Sequence, residues 1–320
     1  MKKKIALLTS GGDAPGMNAC SRAVVRYALS CGMTVFGVYG GYRGLVDGEI
    51  VRLDRRSVSD IIQRGGTFLK TARCPEFTEY EVRAKAAENL KERGIDGLIV
   101  IGGDGSFRGA RALSEDFGVK VIGIPGTIDN DLGYTDFTLG FDTAVNNVLW
   151  AINNLRDTMQ SHEKVTFIEV MGRHCGDIAL HAGVGGGAEY ILVPEIPFDM
   201  GKIAEDILSE SNQGKKSNMI VVAEGAGSVD DLARDFAELT GIEPRKTRLG
   251  HIQRGGSPSR FDRVFACRCA VRAVDLLREG ISGRVVGIRN GKIVDDGIAE
   301  ALAKVRPFDE ELYRIACRLS

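Results

Sequence analysis

Short apolar runs alternate along this chain with stretches of helical period, and no other feature limits the accessible folds as much. The runs fall at 5–8, 34–38, 97–101, 121–124, 165–170, 190–193, 219–223 and 285–288. Apolar residues at three- and four-residue spacing predict helices over 17–30, 79–93, 107–114, 144–160, 178–182, 203–211, 230–239, 261–279 and 310–318. Alternation of this kind builds parallel sheets with helices on both faces, because parallel neighbours need a crossover between them. Ligands in such folds bind beyond the carboxyl ends of the strands, so the residues just after each run are where function is sought.

Three loops in that position carry carboxylates. SGGD at 10–13 follows the first run, GGDGS at 102–106 the third, and PGTIDND at 125–131 the fourth. Gly11 and Gly12 lack side chains, so their amides can face phosphate oxygens at a helix start. The first loop lacks the Lys-Ser/Thr ending of a P-loop and does not match GxGxxG. A tight strand-to-helix turn with Asp13 near a helix N-terminus explains it equally. In the second loop, Asp104 points from a strand end, and one or two carboxylates plus nucleotide phosphates suffice for magnesium. The plain alternative is a helix N-cap. In the third, Asp129 and Asp131 are two apart and share a face if the segment is extended, so one can serve metal-bound water and the other a hydroxyl. A carboxylate suffices as base where the hydroxyl proton leaves late. Asx-turn chemistry without catalysis is the alternative there.

Basic groups gather in the second half: Lys164, the MGR at 171–173, Arg245, and His251 and Arg254 within GHIQRGG at 250–256. Arginine forks match phosphate oxygens, although any one of them also reads as a surface ion pair. Arg22 and Arg26 stand one turn apart on the first helix, where like charges repel by a few tenths of a kcal/mol and a bound anion reverses the sign. A solvated face is the bland reading.

The formal net charge of −1 and the absence of long basic runs argue against a nucleic-acid or membrane surface. No apolar stretch reaches the roughly 18 residues needed to span a bilayer, and the start lacks a signal-peptide core, so the expectation is cytoplasmic. With 43% hydrophobic residues and 27% charged, the composition is globular, and 320 residues is a soft prior for two domains. The helix at 144–160 is a candidate hinge between them. The 41 glycines cluster at the ends of apolar runs and mark turns. Seven cysteines without paired CxxC motifs predict buried reduced thiols. Cys267 and Cys269 should face different sides of a helix, and Cys74 follows Arg73 in a loop.

SGGDAPGMN at 10–18, RGGT at 64–67, GGDGS, PGTIDND, MGR, GHIQRGG and RPF at 306–308 occur in that order. Together they resemble the bacterial-type ATP-dependent 6-phosphofructokinases over essentially the whole chain. The resemblance implies the phosphofructokinase fold, α/β, with two doubly wound three-layer αβα domains and largely parallel sheets. It implies a larger ATP- and metal-binding domain at 1–138 plus 256–305, and a smaller sugar-phosphate domain at 139–255 plus 306–320. The implied reaction is transfer of the γ-phosphoryl group of ATP to the 1-hydroxyl of fructose 6-phosphate. Asp129 would be the base with Thr127 beside it, and Asp104 would hold Mg2+ with support from Asp131. Gly12, Arg73, Cys74, Gly103, Asp104, Gly105 and Ser106 would contact ATP, and Arg73 and Arg173 would stabilise the transferring group. Thr127, Asp129, Lys164, Met171, Gly172, Arg173, Glu224, Arg245, His251 and Arg254 would bind the sugar phosphate.

Two further implications concern donor and control. Pyrophosphate-using relatives typically carry Asp and Lys where this chain has Gly105 and Gly126, so two glycines favour ATP. An ADP or phosphoenolpyruvate effector would bind Arg22, Arg26, Arg55, Asp60, Arg156, Gly187, Glu189, Lys215 and Lys216, and the protein would be a homotetramer sharing sites between subunits. Lys164 stands where the family usually has Arg and keeps the charge without the fork. Gln213 replaces a common basic effector ligand. The competing readings are a pyrophosphate donor, tagatose or sedoheptulose phosphate as acceptor, the NAD kinases, which share GGDG, and a non-catalytic nucleotide sensor.

Overall fold

The computed structural model describes residues 2–215 and 217–319. The first half runs β1 (Lys4–Thr9), α1 (Met17–Ser30), β2 (Thr34–Val38), α2 (Gly41–Asp47), β3 (Ile50–Leu53), α3 (Tyr80–Glu92), β4 (Gly97–Gly102), α4 (Asp104–Phe117), β5 (Val121–Thr127), β6 (Leu139–Gly140) and α5 (Phe141–His162). The second half runs β7 (Val165–Val170), α6 (Asp177–Gly186), β8 (Tyr190–Leu192), α7 (Met200–Asn212), β9 (Asn218–Ala223), α8 (Val229–Thr240), β10 (Arg245–Arg248), α9 (Arg260–Glu279), β11 (Arg284–Arg289), β12 (Lys292–Gly297), α10 (Ile298–Ala303) and α11 (Glu310–Leu319). Two compact units result.

The first unit is Met1–Ile128, Leu132–Thr143 and Arg254–Arg306. Its sheet has the order β12-β11-β5-β4-β1-β2-β3, with β6 paired to β5. The strand order reverses at β1: β2 lies on one side, β4 and β5 on the other. β1, β4 and β5 are parallel neighbours, with Thr9 opposite Ile101 and Gly102 opposite Pro125. Their carboxyl ends therefore lie at one edge. Leu8, Leu98, Val100, Val121, Phe107 and Tyr134 fill the core beneath. Both outer strands are antiparallel, and every other pairing in the sheet is parallel, as the expectation of largely parallel sheets requires.

The second unit is Asp129–Asp131, Ala144–Gln253 and Pro307–Ser320. Its sheet, β10-β7-β9-β8, is wholly parallel. Phe167 and Phe236 meet edge-to-face at 5.7 Å in a core shared with Ile207, Ile220 and Val222. Full burial of each such ring stabilises by about 1.5–3 kcal/mol.

The unit boundaries depart from those expected. Asp129–Asp131 fold with the second unit, because Asn130 hydrogen-bonds Asp177 and Asp129 pairs with Arg173. The first three residues of α5 and Arg254 belong to the first unit, so the boundary passes inside α5. The cysteines also differ from expectation. Cys20, Cys175 and Cys269 are buried, but Cys31, Cys74 and Cys267 are half-buried and Cys317 is exposed.

Asp262, fully buried near the start of α9, ties three parts of the first unit together. It accepts hydrogen bonds from the Gly140 amide (2.8 Å), the Thr143 amide (2.9 Å) and the Thr143 hydroxyl. Burial pushes its carboxyl up to about 6, against the pull of those three donors. A folded value above the unfolded one favours the protonated form. The stabilisation is therefore full below about pH 4 and lost as pH rises through 6, by up to roughly 3 kcal/mol. Melting curves of wild type and Asp262→Asn from pH 4.5 to 7.5 test this: the wild type should lose ground to the variant as pH rises. A constant difference would show that Asp262 does not titrate on unfolding.

Candidate active site

The first and second loops are held together by close backbone approach. The Ser10 amide donates to Ile101 O at 2.9 Å, one residue past the β1–β4 ladder. A Cβ on Gly102 would lie 2.5 Å from Ser106 Oγ and 2.6 Å from Ser10 O, so only glycine allows this contact. Gly11 has a φ of +85° and its carbonyl accepts from Thr71 Oγ1. Thr127, at the end of β5, sits 3.6 Å from where a Cβ on Gly103 would stand. Above Gly105 there is open room, whereas a side chain on Gly126 would meet Ile101 and Met17. Ser106 is buried, and its carbonyl accepts from the Tyr42 hydroxyl at 2.6 Å.

Asp104 opens α4 with its carboxylate partly exposed. Arg108, one turn on, donates to it from Nε at 2.6 Å and Nη2 at 3.3 Å. No group of three or more His, Cys, Asp or Glu side chains placed to cage a metal occurs among the described residues. A divalent cation still fits at Asp104. The carboxylate is accessible, the space over Gly105 is clear, and hard cations such as magnesium accept one or two protein carboxylates beside phosphate and water.

Three other expected residues of this unit are placed as follows. Arg73 is exposed, and Cys74 is half-buried with its thiol pushed up by burial. Arg254 lies against the first loop, donating to Asp13 O at 3.0 Å with Nη1 2.5 Å from where a Gly12 Cβ would stand.

In the second unit, Asp129 is 2% exposed, with Arg173 Nε 3.4 Å from its Oδ2. Arg173 follows β7 in a sharp turn, with φ +55°, after Gly172 with φ +135°. Glu224, just past β9, holds this turn by accepting the amides of Gly172 (3.2 Å) and Arg173 (2.7 Å). Gln253, 0% exposed, accepts the Met171 amide at 3.1 Å, which fastens GHIQ to MGR. His251 is exposed in the 3-10 turn Gly250–Arg254 that follows β10.

Lys164 and Arg245 are not brought to this place. Lys164 precedes β7 and Arg245 begins β10, whereas Met171–Arg173 and Glu224 follow the strand ends. A six-residue strand spans about 20 Å. Within one chain these two cations therefore lie at the opposite edge of the sheet from Arg173. Arg245 instead donates to Thr158 Oγ1 at 3.4 Å.

The expected effector residues divide likewise. Arg22 and Arg26 are half-buried on α1, and Arg26 Nε is buried without a hydrogen-bond partner. Arg55 and Asp60 lie in the turns after β3, where Asp60 has φ +51°. In the second unit Arg156 Nη2 donates to Gly186 O and Gly187 O, while Lys215 pairs with Glu210 at 3.2 Å and Glu189 at 3.7 Å. Lys216 lies outside the described residues.

The chain's residues 4–277 match the family described as Phosphofructokinase. An ATP-dependent 6-phosphofructokinase of Clostridium acetobutylicum is 60% identical over 318 residues, 99% of each chain, and one of Clostridium botulinum is 59% identical over the same length. Among solved structures, a phosphofructokinase of Saccharomyces cerevisiae superposes with a TM-score of 0.90 at 34% identity, covering 99% of this chain and 47% of that one. This chain thus spans about half of the yeast chain. A pyrophosphate-dependent phosphofructokinase of Marinobacter aquaeolei matches with a TM-score of 0.86 at 22% identity, over 97% of this chain and 86% of that one, which speaks to fold alone.

Asn18, 3% exposed at the end of the first motif, shapes the RGGT segment and was not singled out by sequence. Its amide donates to Arg64 O and Gly65 O, and its oxygen accepts the Phe68 amide at 2.7 Å. Asn18→Ala leaves these groups unmet and should lower stability by about 1–3 kcal/mol. Hydrogen exchange at the Phe68 amide should rise. Unchanged exchange there would rule out this role.

Proposed function

The chain belongs to the phosphofructokinase family, and from that premise we propose that it transfers the γ-phosphoryl group of ATP to the 1-hydroxyl of fructose 6-phosphate. The products are fructose 1,6-bisphosphate and ADP. The observation that carries the reading is Asp129: a buried carboxylate two residues after Thr127, with an arginine against it. In phosphoryl transfer through a loose transition state little covalent work falls to the protein, and positioning and charge supply most of the catalysis. Asp129 accepts the proton of the sugar hydroxyl as that oxygen bonds to phosphorus. Arg173 and Arg73 stand by the charge on the transferring group.

The donor side is drawn from the first unit. Gly12, Gly103, Gly105 and Ser106 present backbone to the triphosphate, with open space above Gly105 and with Arg73 and Cys74 beside the nucleotide. The open room at Gly105 supports a nucleotide donor over pyrophosphate. A kinase of this family needs a divalent metal. Asp104 would hold Mg2+ with Asp131 in support, and the bound ion supplies neutralisation of phosphate charge. To do so Asp104 must exchange Arg108 for the cation.

On the acceptor side, Met171, Gly172, Arg173, Glu224 and His251 bind the sugar phosphate, and Arg254 closes GHIQR from the first unit. Lys164 and Arg245 serve the site of a second copy, a reading supported by their place at the far edge of the sheet. That makes the enzyme an oligomer, with a homotetramer as the full assembly. ADP or phosphoenolpyruvate would act through Arg22, Arg26, Arg55, Asp60, Arg156, Gly187, Glu189, Lys215 and Lys216. No helix among the described residues is long and apolar enough to cross a membrane.

A coupled assay of ATP and pyrophosphate side by side on fructose 6-phosphate tests the reaction. Asp129→Ala should lower kcat by about three orders of magnitude or more, while nucleotide affinity stays within about threefold. Turnover with pyrophosphate alone, or near-normal kcat in the variant, would reject the reading. Site sharing has its own test. Asp129→Ala and Arg245→Ala proteins are unfolded, mixed and refolded together. Hybrids should regain activity at low sugar phosphate, and no gain over the separate variants would place Arg245 outside the neighbouring site.

A further inference from the structure

The proposed base does not hold itself in place. Asn130, between Asp129 and Asp131, is 0% exposed and has φ +47°, a left-handed conformation that asparagine tolerates better than most residues. Its side-chain amide donates to Asp177 Oδ2 at 2.7 Å, and Asp177 is itself 2% exposed. Its carbonyl faces the Cys175 thiol at 3.7 Å. Residues 173, 175 and 177 thus each grip the segment 129–130, every second residue making one contact. A buried carboxylate stays only if it is hydrogen-bonded. Asp177 also begins α6, where negative charge is favoured.

We propose that Asp177, through Asn130, is the positioning residue that sets the orientation of Asp129 and Asp131. The inference rests on the reaction proposed above only in naming Asp129 as the base. Asn130 fixes the backbone on which both carboxylates stand, and a displacement of about 1 Å at a reacting group lowers rate by about a hundredfold. Asp177 lies on the stretch that also carries Arg173, so the turn that meets the sugar phosphate and the turn that orients the base are one piece of chain.

The test uses Asn130→Gly, which permits the left-handed backbone and removes the side chain that reaches Asp177, with Asp177→Ala, Asp177→Asn and the double variant Asn130→Gly/Asp177→Ala. Asn130→Gly and Asp177→Ala should each lower kcat by about ten- to a hundredfold, with KM for both substrates within about threefold. Asp177→Asn keeps an acceptor oxygen and should recover most of the loss. The double variant should be no worse than the poorer single one, since both remove the same contact. Amide hydrogen exchange at residues 129–131 should rise in the two single variants and stay low in Asp177→Asn. This reads the latch even if the assigned substrates are wrong. A kcat for Asn130→Gly within about twofold of wild type, or losses that multiply in the double variant, would overturn the inference. So would unchanged exchange at 129–131. Asn130→Gly keeps the test decisive should Asp177→Ala fail to fold.

Discussion

The hydrogen bond from the Ser10 amide to Ile101 O extends the β1–β4 ladder past its last paired residues, and the contact between the first two glycine-rich loops depends on it. Parallel neighbours end at the same edge of a sheet, which already brings two glycine-rich loops near one another. Near is not enough for phosphate recognition, where amides must converge within hydrogen-bond reach. The extra bond, with glycine at 102 so that Ser10 O and Ser106 Oγ can approach, turns adjacency into contact. β5 then adds Thr127 beside Gly103 from the next position in the sheet.

The third loop obeys a different constraint. Its chain leaves the first unit at Ile128, and Asp129–Asp131 are gripped by the segment 173–177 of the second. Backbone length sets the rest: two residues of extended chain reach at most about 7 Å. Thr127 belongs to the sheet of one unit and Asp129 to a turn of the other, so the chain itself limits their separation to about that distance.

Legibility followed the range of the physics involved. The alternating pattern and the loops SGGD, GGDGS and PGTIDND are local signals, and the strands and helices they imply lie where they were expected. β3, β10 and β12 escaped because they are edge strands. Arg245–Arg248 is three-quarters basic, and Lys292–Gly297 carries two aspartates and no fully buried residue, so neither shows apolar alternation. Gly40 and Gly48, left-handed at both ends of α2, enclose a seven-residue helix whose own glycines hide it. Asn18, Asp177 and Asp262 bond to partners about 50 to 120 residues away, and no local motif announces such pairs. The basic residues of the second half were grouped as one phosphate pocket by their chemistry, although the run at 165–170 already separated Lys164 from Arg173; for Arg245 the strand it begins was not legible. Lys164 and Arg173 flank the same six-residue strand, so one chain holds them at opposite edges.

The pairing of Asp104 with Arg108 looks at first like an argument against metal binding, and magnitudes decide otherwise. Both side chains are more than two-fifths exposed, and an exposed i, i+4 pair is worth about 0.3–0.5 kcal/mol. A doubly charged cation would offer the same carboxylate a far larger attraction than one exposed guanidinium does. Arg108 is therefore too weak a partner to exclude a cation from the Asp104 carboxylate.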